Sequence, residues 1–188
     1  MIMISPEGVL REIERQASKR WLPIIGAEKA RIIAGIVEEE KPRLALEVGA
    51  NIGYSAIVIA GHMPEGSHLT TIEINRMLAG EAEANIRRAG LADRVSILVG
   101  DALELIKSVE GPIDFAFLDA EKDEYGRYLD LIEPKLHTGS VMIADNVGSF
   151  PRAMVDYLEK VRRSGLYKSK YISIGWDGIE VSRRLASA

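Results

Sequence analysis

The sequence predicts an α/β fold with a mostly parallel sheet, and three features of the chain lead to this prediction. Short apolar runs alternate with amphipathic helical segments between Leu44 and Arg163. A glycine-containing turn, from Gly49 to Gly53, directly follows the first apolar run. Near the end, two strand-like runs are separated only by residues 175–178, which is typical of a hairpin. Alternation of strand and helix implies parallel strands joined by right-handed crossovers, and the hairpin adds an antiparallel edge.

Two helices are predicted before the sheet. Ser5 or Pro6 can begin the first, and apolar residues at helical spacing give it one buried face: Val9, Leu10, Ile13 and Ala17. The second runs from about Ala27 until Pro42 ends it, with an apolar stripe of Ile32, Ile33, Ile36 and Val37. Because the first helix is too short to be buried well within one chain, we expect it to contribute to a homodimer.

Strands and helices then alternate to the end of the chain. The predicted parallel strands are Leu44–Val48, Leu69–Ile74, Val95–Val99, Ile113–Leu118 and Val141–Ala144. The predicted helices are Ser55–Gly61, Arg76–Ala89, Ala102–Val109, Tyr125–Leu136 and Arg152–Arg163. The hairpin strands are Tyr167–Ile174 and Ile179–Leu185.

The composition bounds the class of protein. The 188 residues suit a single domain, 1–188, and the absence of cysteine excludes disulfides and thiolate metal sites. No apolar run is of transmembrane length and the start lacks a basic-then-apolar signal segment, so we expect a cytoplasmic protein without a membrane partner. The formal net charge of −4 gives no general attraction to nucleic acid. From Arg152 onward, however, eight Lys or Arg stand against four Asp or Glu, which a solvated helix face and strand edge explain most simply.

The glycine turn is predicted to hold a cofactor, because a strand, a glycine turn and a helix together aim backbone N–H groups at a ligand. A dinucleotide fingerprint needs a middle glycine where this chain has Asn51, and no Gly-Lys-Ser/Thr sequence of a phosphate-binding loop follows. A turn opened by Glu47 suits a ligand that carries an amine and a ribose. An ordinary strand-to-helix turn remains the alternative.

Acidic residues follow the predicted strands, at the edge of a parallel sheet where ligands bind. They are Glu47, Glu73, Asp101, Asp119 and Asp145. Glu73 lies about where such folds place the acid that holds ribose hydroxyls. The alternative is a surface acid that caps a turn.

A second cluster of polar residues predicts a cation site. If their strands are neighbours, Asp119 and Asp145 lie about 5 Å apart. With the carbonyl oxygen of Asn146 they offer the oxygen ligands that Mg²⁺ prefers. Lys122 follows Asp119 closely, and a lysine that faces a cation can act as a base. The alternatives are a helix cap at Asp119, a turn at Asp145-Asn146 and a solvated Lys122.

Five motifs carry a resemblance to a known family. They are Glu-Val-Gly-Ala-Asn-Ile-Gly-Tyr-Ser (47–55), Thr-Ile-Glu-Ile-Asn (71–75), Gly-Asp-Ala (100–102), Leu-Asp-Ala-Glu-Lys-Asp-Glu-Tyr (118–125) and Ala-Asp-Asn (144–146). From about Trp21 to Leu185 the chain resembles the cation-dependent O-methyltransferases that use S-adenosylmethionine, typified by catechol O-methyltransferase. The resemblance implies a Rossmann-like class I methyltransferase fold, with a seven-stranded, mostly parallel sheet and an antiparallel last strand. Residues 43–186 would form the cofactor-binding core, and the helices of residues 1–40 would cover the acceptor side.

The resemblance also assigns site residues. Around S-adenosylmethionine it places Glu47, Gly49, Asn51, Gly53, Tyr54, Ser55, Glu73, Ile74, Asp101, Ala102 and Asp119, with Glu73 at the ribose. It makes Asp119, Asp145 and Asn146 the ligands of a divalent cation, and Lys122 the base that deprotonates the acceptor hydroxyl.

The acceptor is expected to be a small molecule with two neighbouring hydroxyl groups. The resemblance maps Glu180 to a residue that binds the second hydroxyl and Trp21 to an aromatic wall. Two departures are Glu121, where the catechol enzyme has an aromatic residue, and the additional Trp176 in the final hairpin. Trp176 is expected to contact the acceptor as well. Two alternatives remain: methylation of a hydroxylated uridine in tRNA, for which the basic tail would be the footprint, and cofactor binding without catalysis.

Overall fold

A computed structural model describes residues 5–20 and 22–186, and seven strands in it form one sheet in the order β3-β2-β1-β4-β5-β7-β6. The strands are β1 (Leu44–Val48), β2 (His68–Glu73), β3 (Val95–Val99), β4 (Ile113–Leu118), β5 (Leu136–Ala144), β6 (Tyr167–Ile174) and β7 (Asp177–Arg184). The helices are α1 (Pro6–Arg20), α2 (Gly26–Glu40), α3 (Tyr54–His62), α4 (Arg76–Arg88), α5 (Ala102–Ser108), α6 (Tyr125–Ile132) and α7 (Val155–Arg163).

The pairing of the strands confirms the predicted fold class. β1, β2, β3, β4 and β5 pair in parallel, whereas β7 is antiparallel to both β5 and β6. Consecutive strands run outward from β1 to β3, and the chain then returns to place β4 on the other side of β1. This reversal of direction leaves a crevice at the carboxyl end of β1, which is where open α/β sheets bind ligands.

Side-chain alternation explains why the strands are apolar on both faces. In β4, Phe115 and Phe117 pack into the core beneath α1, α2, α3 and α4. Ala116 and Leu118 point the other way, into the core beneath α5, α6 and α7. Because successive side chains of a strand point to opposite faces, a central strand covered by helices on both sides carries apolar residues without a break.

Some element boundaries differ from the prediction. α6 ends at Ile132, four residues early, because Pro134 lies in a 3₁₀ turn, Glu133–Lys135, that leads directly into β5. β5 consequently begins at Leu136, and its register with β4 is irregular between Ile113 and Phe115. In the final hairpin β7 begins at Asp177 because this residue already pairs with Ile174.

The apolar face of α1 is covered within the chain. Val9 and Ile13 are 0% and 1% exposed, and α1 packs against α3 and α4. Arg20 of α1 also forms a two-bond ion pair with Glu81 of α4. The reason given for a homodimer, an apolar helix face left uncovered, therefore does not hold for α1.

Within residues 5–20 and 22–186, no helix is long and apolar enough to cross a membrane.

Candidate active site

A cavity of about 560 Å³ opens at the carboxyl edge of the sheet, and its volume is in the range of small-molecule sites. Loops after β1, β2, β3, β4 and β5, the first turn of α2 and residues 23–25 form its wall. It brings together most of the predicted site residues: Gly49, Asn51, Tyr54, Ser55, Glu73, Ile74, Asp101, Ala102, Asp119, Lys122, Asp145 and Asn146.

The turn after β1 requires a glycine at its start. Gly49 has a φ of 102°, and a Cβ atom there would lie 2.1 Å from the carbonyl oxygen of Asp119. The turn thus passes directly against the end of β4, which brings the cofactor side and the predicted cation side of the cavity together. The side chain of Asn51 donates a hydrogen bond of 2.7 Å to the carbonyl oxygen of Pro23 and so attaches the N-terminal segment to this turn.

Two predicted cofactor residues support the turn from outside the cavity wall. Glu47 is fully buried behind Gly49, where its Oε2 accepts a 2.5 Å hydrogen bond from Thr71 Oγ1. Burial raises the pKa of Glu47 to about 7, and its Oε1 accepts no hydrogen bond from the residues described. Gly53, at a φ of 84°, precedes α3 and packs against Ala82. The structure therefore does not place either residue against a ligand.

Backbone N–H groups fix the carboxylate of Glu73. One oxygen accepts from Asn51 N at 2.7 Å and the other from Asn75 N at 2.9 Å. The side chain is nearly buried yet lines the cavity, so its remaining lone pairs can face a pair of hydroxyl groups. Asp101 also has a structural role, because its Oδ1 caps α5 by accepting from Leu103 N. Both acids close turns and line the cavity at the same time.

The acids that follow β4 and β5 are neighbours, as predicted. Asp145 N donates to the carbonyl oxygen of Leu118 at 2.9 Å, which continues the parallel ladder to the sheet edge. Burial, followed by the nearby charge of Asp119, raises the pKa of Asp145 to about 6. The pairing of β4 with β5 therefore places these two carboxylates close enough for the charge of one to act on the other.

Three oxygens at this position accept no hydrogen bond from the described part of the chain. In Asp119 only Oδ1 is engaged, by Lys122 Nζ at 2.8 Å. In Asp145 only Oδ1 is engaged, by Lys29 Nζ and the N–H of Asn146. In Asn146 the amide nitrogen donates to Asp177, and the amide oxygen accepts no hydrogen bond from the described residues.

The ranges described contain no group of three His, Cys, Asp or Glu side chains that could hold a metal. Two carboxylates and one amide oxygen fit a hard cation such as Mg²⁺.

Comparison with known proteins identifies the family. Residues 5–161 match the sequence model of the O-methyltransferase family. The chain belongs to this family. Over 176 residues it is 36% identical to the catechol O-methyltransferase of Mus musculus and 32% identical to that of Bos taurus. These matches cover 89% of the chain but only 66% and 64% of the relatives, so the chain spans slightly less than two thirds of their length.

A solved structure shares the fold. The O-methyltransferase from Bacillus cereus, determined in complex with SAH, aligns with a TM-score of 0.86 at 24% sequence identity. The alignment covers 94% of this chain and 90% of that one. The Rossmann-like fold and the family resemblance inferred from the five motifs are thus confirmed.

At this edge of the sheet, Lys122 lies beside Asp119 and Tyr125. Its Nζ is 2.8 Å from Asp119 Oδ1 and 3.2 Å from the hydroxyl of Tyr125. The Tyr125 hydroxyl donates to the carbonyl oxygen of Leu118. Burial and the charges of Asp119 and Asp145 raise the pKa of Tyr125, which keeps this hydroxyl protonated. Asp119 and Tyr125 therefore hold Lys122 Nζ in place, and a ligand in the cavity can reach it.

Two residues of the site were not predicted from the sequence. Lys29, in the first turn of α2, is 8% exposed and places its ammonium 2.5 Å from Asp145 Oδ1 and 2.7 Å from Asp177 Oδ2. Asp177, the first residue of β7, is 4% exposed, and its hydrogen bonds lower its pKa despite the opposing cost of burial. One signal was available: Lys29 precedes Ile33 by one helical turn and so interrupts the apolar face of α2.

Two of the predicted acceptor contacts are contradicted by the placement of the side chains. Glu180 is 1% exposed, and its carboxylate forms a two-bond ion pair with Arg162 of α7. It lies an odd number of residues after Asp177 in β7, so it points to the opposite face of the sheet. Trp176 is 86% exposed at the hairpin turn and does not line the cavity. Trp21, the third predicted contact, lies outside the described residues.

Proposed function

We propose that this chain is a methyltransferase that carries a methyl group from S-adenosylmethionine to a hydroxyl of a small vicinal diol, with the help of a divalent cation. One observation carries the proposal: the acids after β4 and β5, together with Lys122, share one cavity with the glycine turn and Glu73. The cavity thus joins a cofactor half to a half that can bind and deprotonate a hydroxyl.

The cofactor half would hold S-adenosylmethionine between Gly49, Glu73 and Asp101. The glycine at position 49 lets the turn pass directly against the end of β4, where a side chain would collide with the carbonyl oxygen of Asp119, and the fixed carboxylate of Glu73 suits two ribose hydroxyls. When bound, this cofactor supplies a methyl carbon attached to a positively charged sulfur that leaves as a thioether.

Asp119, Asp145 and Asn146 would hold the cation through the oxygens that no described residue engages. A divalent ion there would supply positive charge that favours ionisation of a hydroxyl nearby. Lys122 receives the acceptor proton on Nζ, and for this step it must be the neutral amine. Asp119 holds that nitrogen in place, and Ile24, Ile25 and Phe150 give the cavity an apolar wall that limits water.

A small acceptor is favoured over tRNA by the surroundings of the basic tail. Five of its eight Lys and Arg residues are in ion pairs with acids of this chain: Lys160, Arg162, Arg163, Arg183 and Arg184. Much of the positive charge of the tail is therefore balanced within the protein, which argues against tRNA as the acceptor. The half-exposed ring of Phe150 at the cavity suits stacking against an aromatic diol. A homodimer remains a prediction, for which the measured mass in solution at micromolar concentration is the test.

The test is a methyl-transfer assay with labelled S-adenosylmethionine and a simple catechol. We expect transfer with Mg²⁺, none in excess chelator, and none for Asp145→Ala, which should still bind S-adenosylhomocysteine in calorimetry. Full activity in chelator would refute the cation assignment. Failure of the wild-type protein to bind S-adenosylmethionine would refute the proposed function as a whole.

A further inference from the structure

Asp177 organises the loop that follows β5. Its Oδ2 accepts from Lys29 Nζ at 2.7 Å and from the amide nitrogen of Asn146 at 2.8 Å, and its Oδ1 accepts from Ser149 N at 2.9 Å. The backbones also meet here, because Val147 N donates to the carbonyl oxygen of Gly178. The loop is so close that a Cβ atom on Gly148 would lie 2.8 Å from the carbonyl carbon of Asp177. One buried carboxylate thus receives three donors from two separate segments.

The hydrogen bond to Asn146 selects which end of that amide faces the cavity. An ionised carboxylate only accepts hydrogen bonds, so it binds the NH₂ group of Asn146 and turns the amide oxygen away from itself. Only the oxygen of an amide can be the ligand of a hard cation. The orientation of the Asn146 amide therefore decides whether its oxygen, which can be a ligand, or its NH₂ group, which cannot, faces the cation.

Lys29 holds this arrangement against the sheet. Its ammonium connects Asp177 to Asp145, which is 1% exposed and adjoins Asn146 in the chain. Two buried carboxylates this close would repel each other without a cation between them. The ammonium consequently fixes the distance between the end of β5 and the start of β7.

We propose that Asp177 is a positioning residue of the cation site: it binds the amide nitrogen of Asn146 and thereby presents the amide oxygen to the cation. The inference rests on the proposed function, because it assumes that Asp119, Asp145 and Asn146 bind a divalent ion. Asp177 itself is not a ligand, since Lys29, Asn146 and Ser149 engage its oxygens.

The test measures the dissociation constant of Mn²⁺ by counting free ion in electron paramagnetic resonance, without cofactor or acceptor. In Asp177→Asn the single remaining oxygen cannot serve all three donors, and we expect Mn²⁺ to bind about 10–100-fold more weakly. Binding of S-adenosylhomocysteine should be unchanged, because Gly49, Glu73 and Asp101 are untouched. Asp114→Asn is the matched control: Asp114 also accepts from three donors, Arg43 N, Leu44 N and His137, but at the other edge of the sheet. Its Mn²⁺ affinity should equal that of the wild type.

A double variant that exchanges residues 146 and 177 distinguishes a positioning role of Asp177 from a general need for negative charge near the cation. The double variant Asn146→Asp, Asp177→Asn conserves the net charge and presents oxygen from residue 146 in either orientation, so we expect affinity within about threefold of the wild type. Two results would overturn this inference but leave the proposed function intact. One is wild-type affinity for Mn²⁺ in Asp177→Asn, and the other is a double variant that binds Mn²⁺ as weakly as Asp177→Asn does. A double variant that fails to fold would also count against the inference, because it retains both polar groups. Absence of Mn²⁺ binding in the wild type would instead remove the cation from the proposed function, and the inference with it.

Discussion

Lys122 is the residue whose replacement most directly tests the proposed proton transfer. In Lys122→Ala the acceptor hydroxyl loses its base, and we expect turnover to fall by about 10²–10⁴-fold. The affinities for S-adenosylhomocysteine and for the cation should hardly change, because Asp119 and Asp145 keep their positions. Lys107→Ala, which removes a solvent-exposed lysine paired with Glu104, is the control and should retain full turnover. A Lys122→Ala enzyme with normal turnover would exclude Lys122 as the base.

Glu73 links the turn after β1 to the start of α4 through Asn51 N and Asn75 N. In Glu73→Gln one end of the side chain becomes a donor that faces a backbone N–H. We expect calorimetry to show that S-adenosylmethionine binding weakens by about 1–3 kcal/mol. The control is Glu83→Gln on the exposed face of α4, which should bind as the wild type does. Normal affinity in Glu73→Gln would remove this residue from the cofactor site.

Glu180 is expected to affect folding and not the acceptor. Because Glu180 is 1% exposed and Arg162 is its partner, Arg162→Ala would leave a buried carboxylate unpaired and destabilise the protein by about 1–3 kcal/mol in urea unfolding. Glu180→Gln should cost less, since it removes that charge, and should leave the Michaelis constant for a catechol unchanged. A raised constant in Glu180→Gln would restore Glu180 to the acceptor site.

The positions of these residues show which parts of the candidate site could be predicted from the sequence. Most of the predicted residues that line the cavity were found because they follow strands, and all parallel strands end at one edge. Lys29 was missed because it comes from a helix that precedes the sheet, and no spacing along the chain relates it to Asp145. Glu180 was misplaced because a hairpin segment does not reveal which side chains face the cavity until the register of β7 with β5 is known.

Among the elements, the turn between β1 and α3 has the strictest requirement. A methyl group at Gly49 would collide with the carbonyl oxygen of Asp119, 2.1 Å away, and its φ of 102° is strained for any other residue. We therefore expect Gly49→Ala to lower the melting temperature and to weaken binding of S-adenosylhomocysteine together. Gly35→Ala, in the interior of α2 with open space around it, should instead stabilise the protein by about 0.5–1 kcal/mol. Equal behaviour of the two variants would contradict the role assigned to this turn.

Element boundaries were less predictable than element types. The apolar pattern around Leu129 and Ile132 continues through Leu136, so periodicity alone extends α6 into β5. The structure ends the helix at Ile132 because Pro134, in the next turn, cannot supply a backbone N–H. The irregular register between β4 and β5 is equally invisible to local patterns, since it depends on which residues pair across the sheet.

At the scale of the whole molecule, stability should depend on pH through the pair Asp114 and His137. The hydrogen bond to the carbonyl oxygen of Thr138 and the contact with Asp114 raise the pKa of His137. Burial disfavours the charged form of Asp114, but its hydrogen bonds to Leu44 N, His137 and Arg43 N outweigh this and lower its pKa. A raised histidine pKa stabilises the folded state below the unfolded pKa and loses this effect as pH rises through the folded pKa. For Asp114 the stabilisation is present above its unfolded pKa and is lost on acidification.

The pair therefore stabilises the protein most between about pH 4 and 6.5. In His137→Gln, urea unfolding should show a smaller decline of the free energy of unfolding from pH 6.5 upward than in the wild type. The difference should stay below about 1 kcal/mol, because both side chains are partly exposed and solvent screens them. Identical pH profiles for the two proteins would show that the pair contributes nothing.

The contact between Lys29 and Asp177 has a consequence for how the protein is made. The two residues are 148 positions apart, so the second is synthesised long after the first. Until β7 emerges from the ribosome, Lys29 has only Asp145 to bind, and β5 is an open sheet edge. The nascent chain can therefore complete its cofactor half before its cation half, and nascent chains stopped before residue 177 should bind S-adenosylhomocysteine as the 188-residue chain does but should bind Mn²⁺ more weakly.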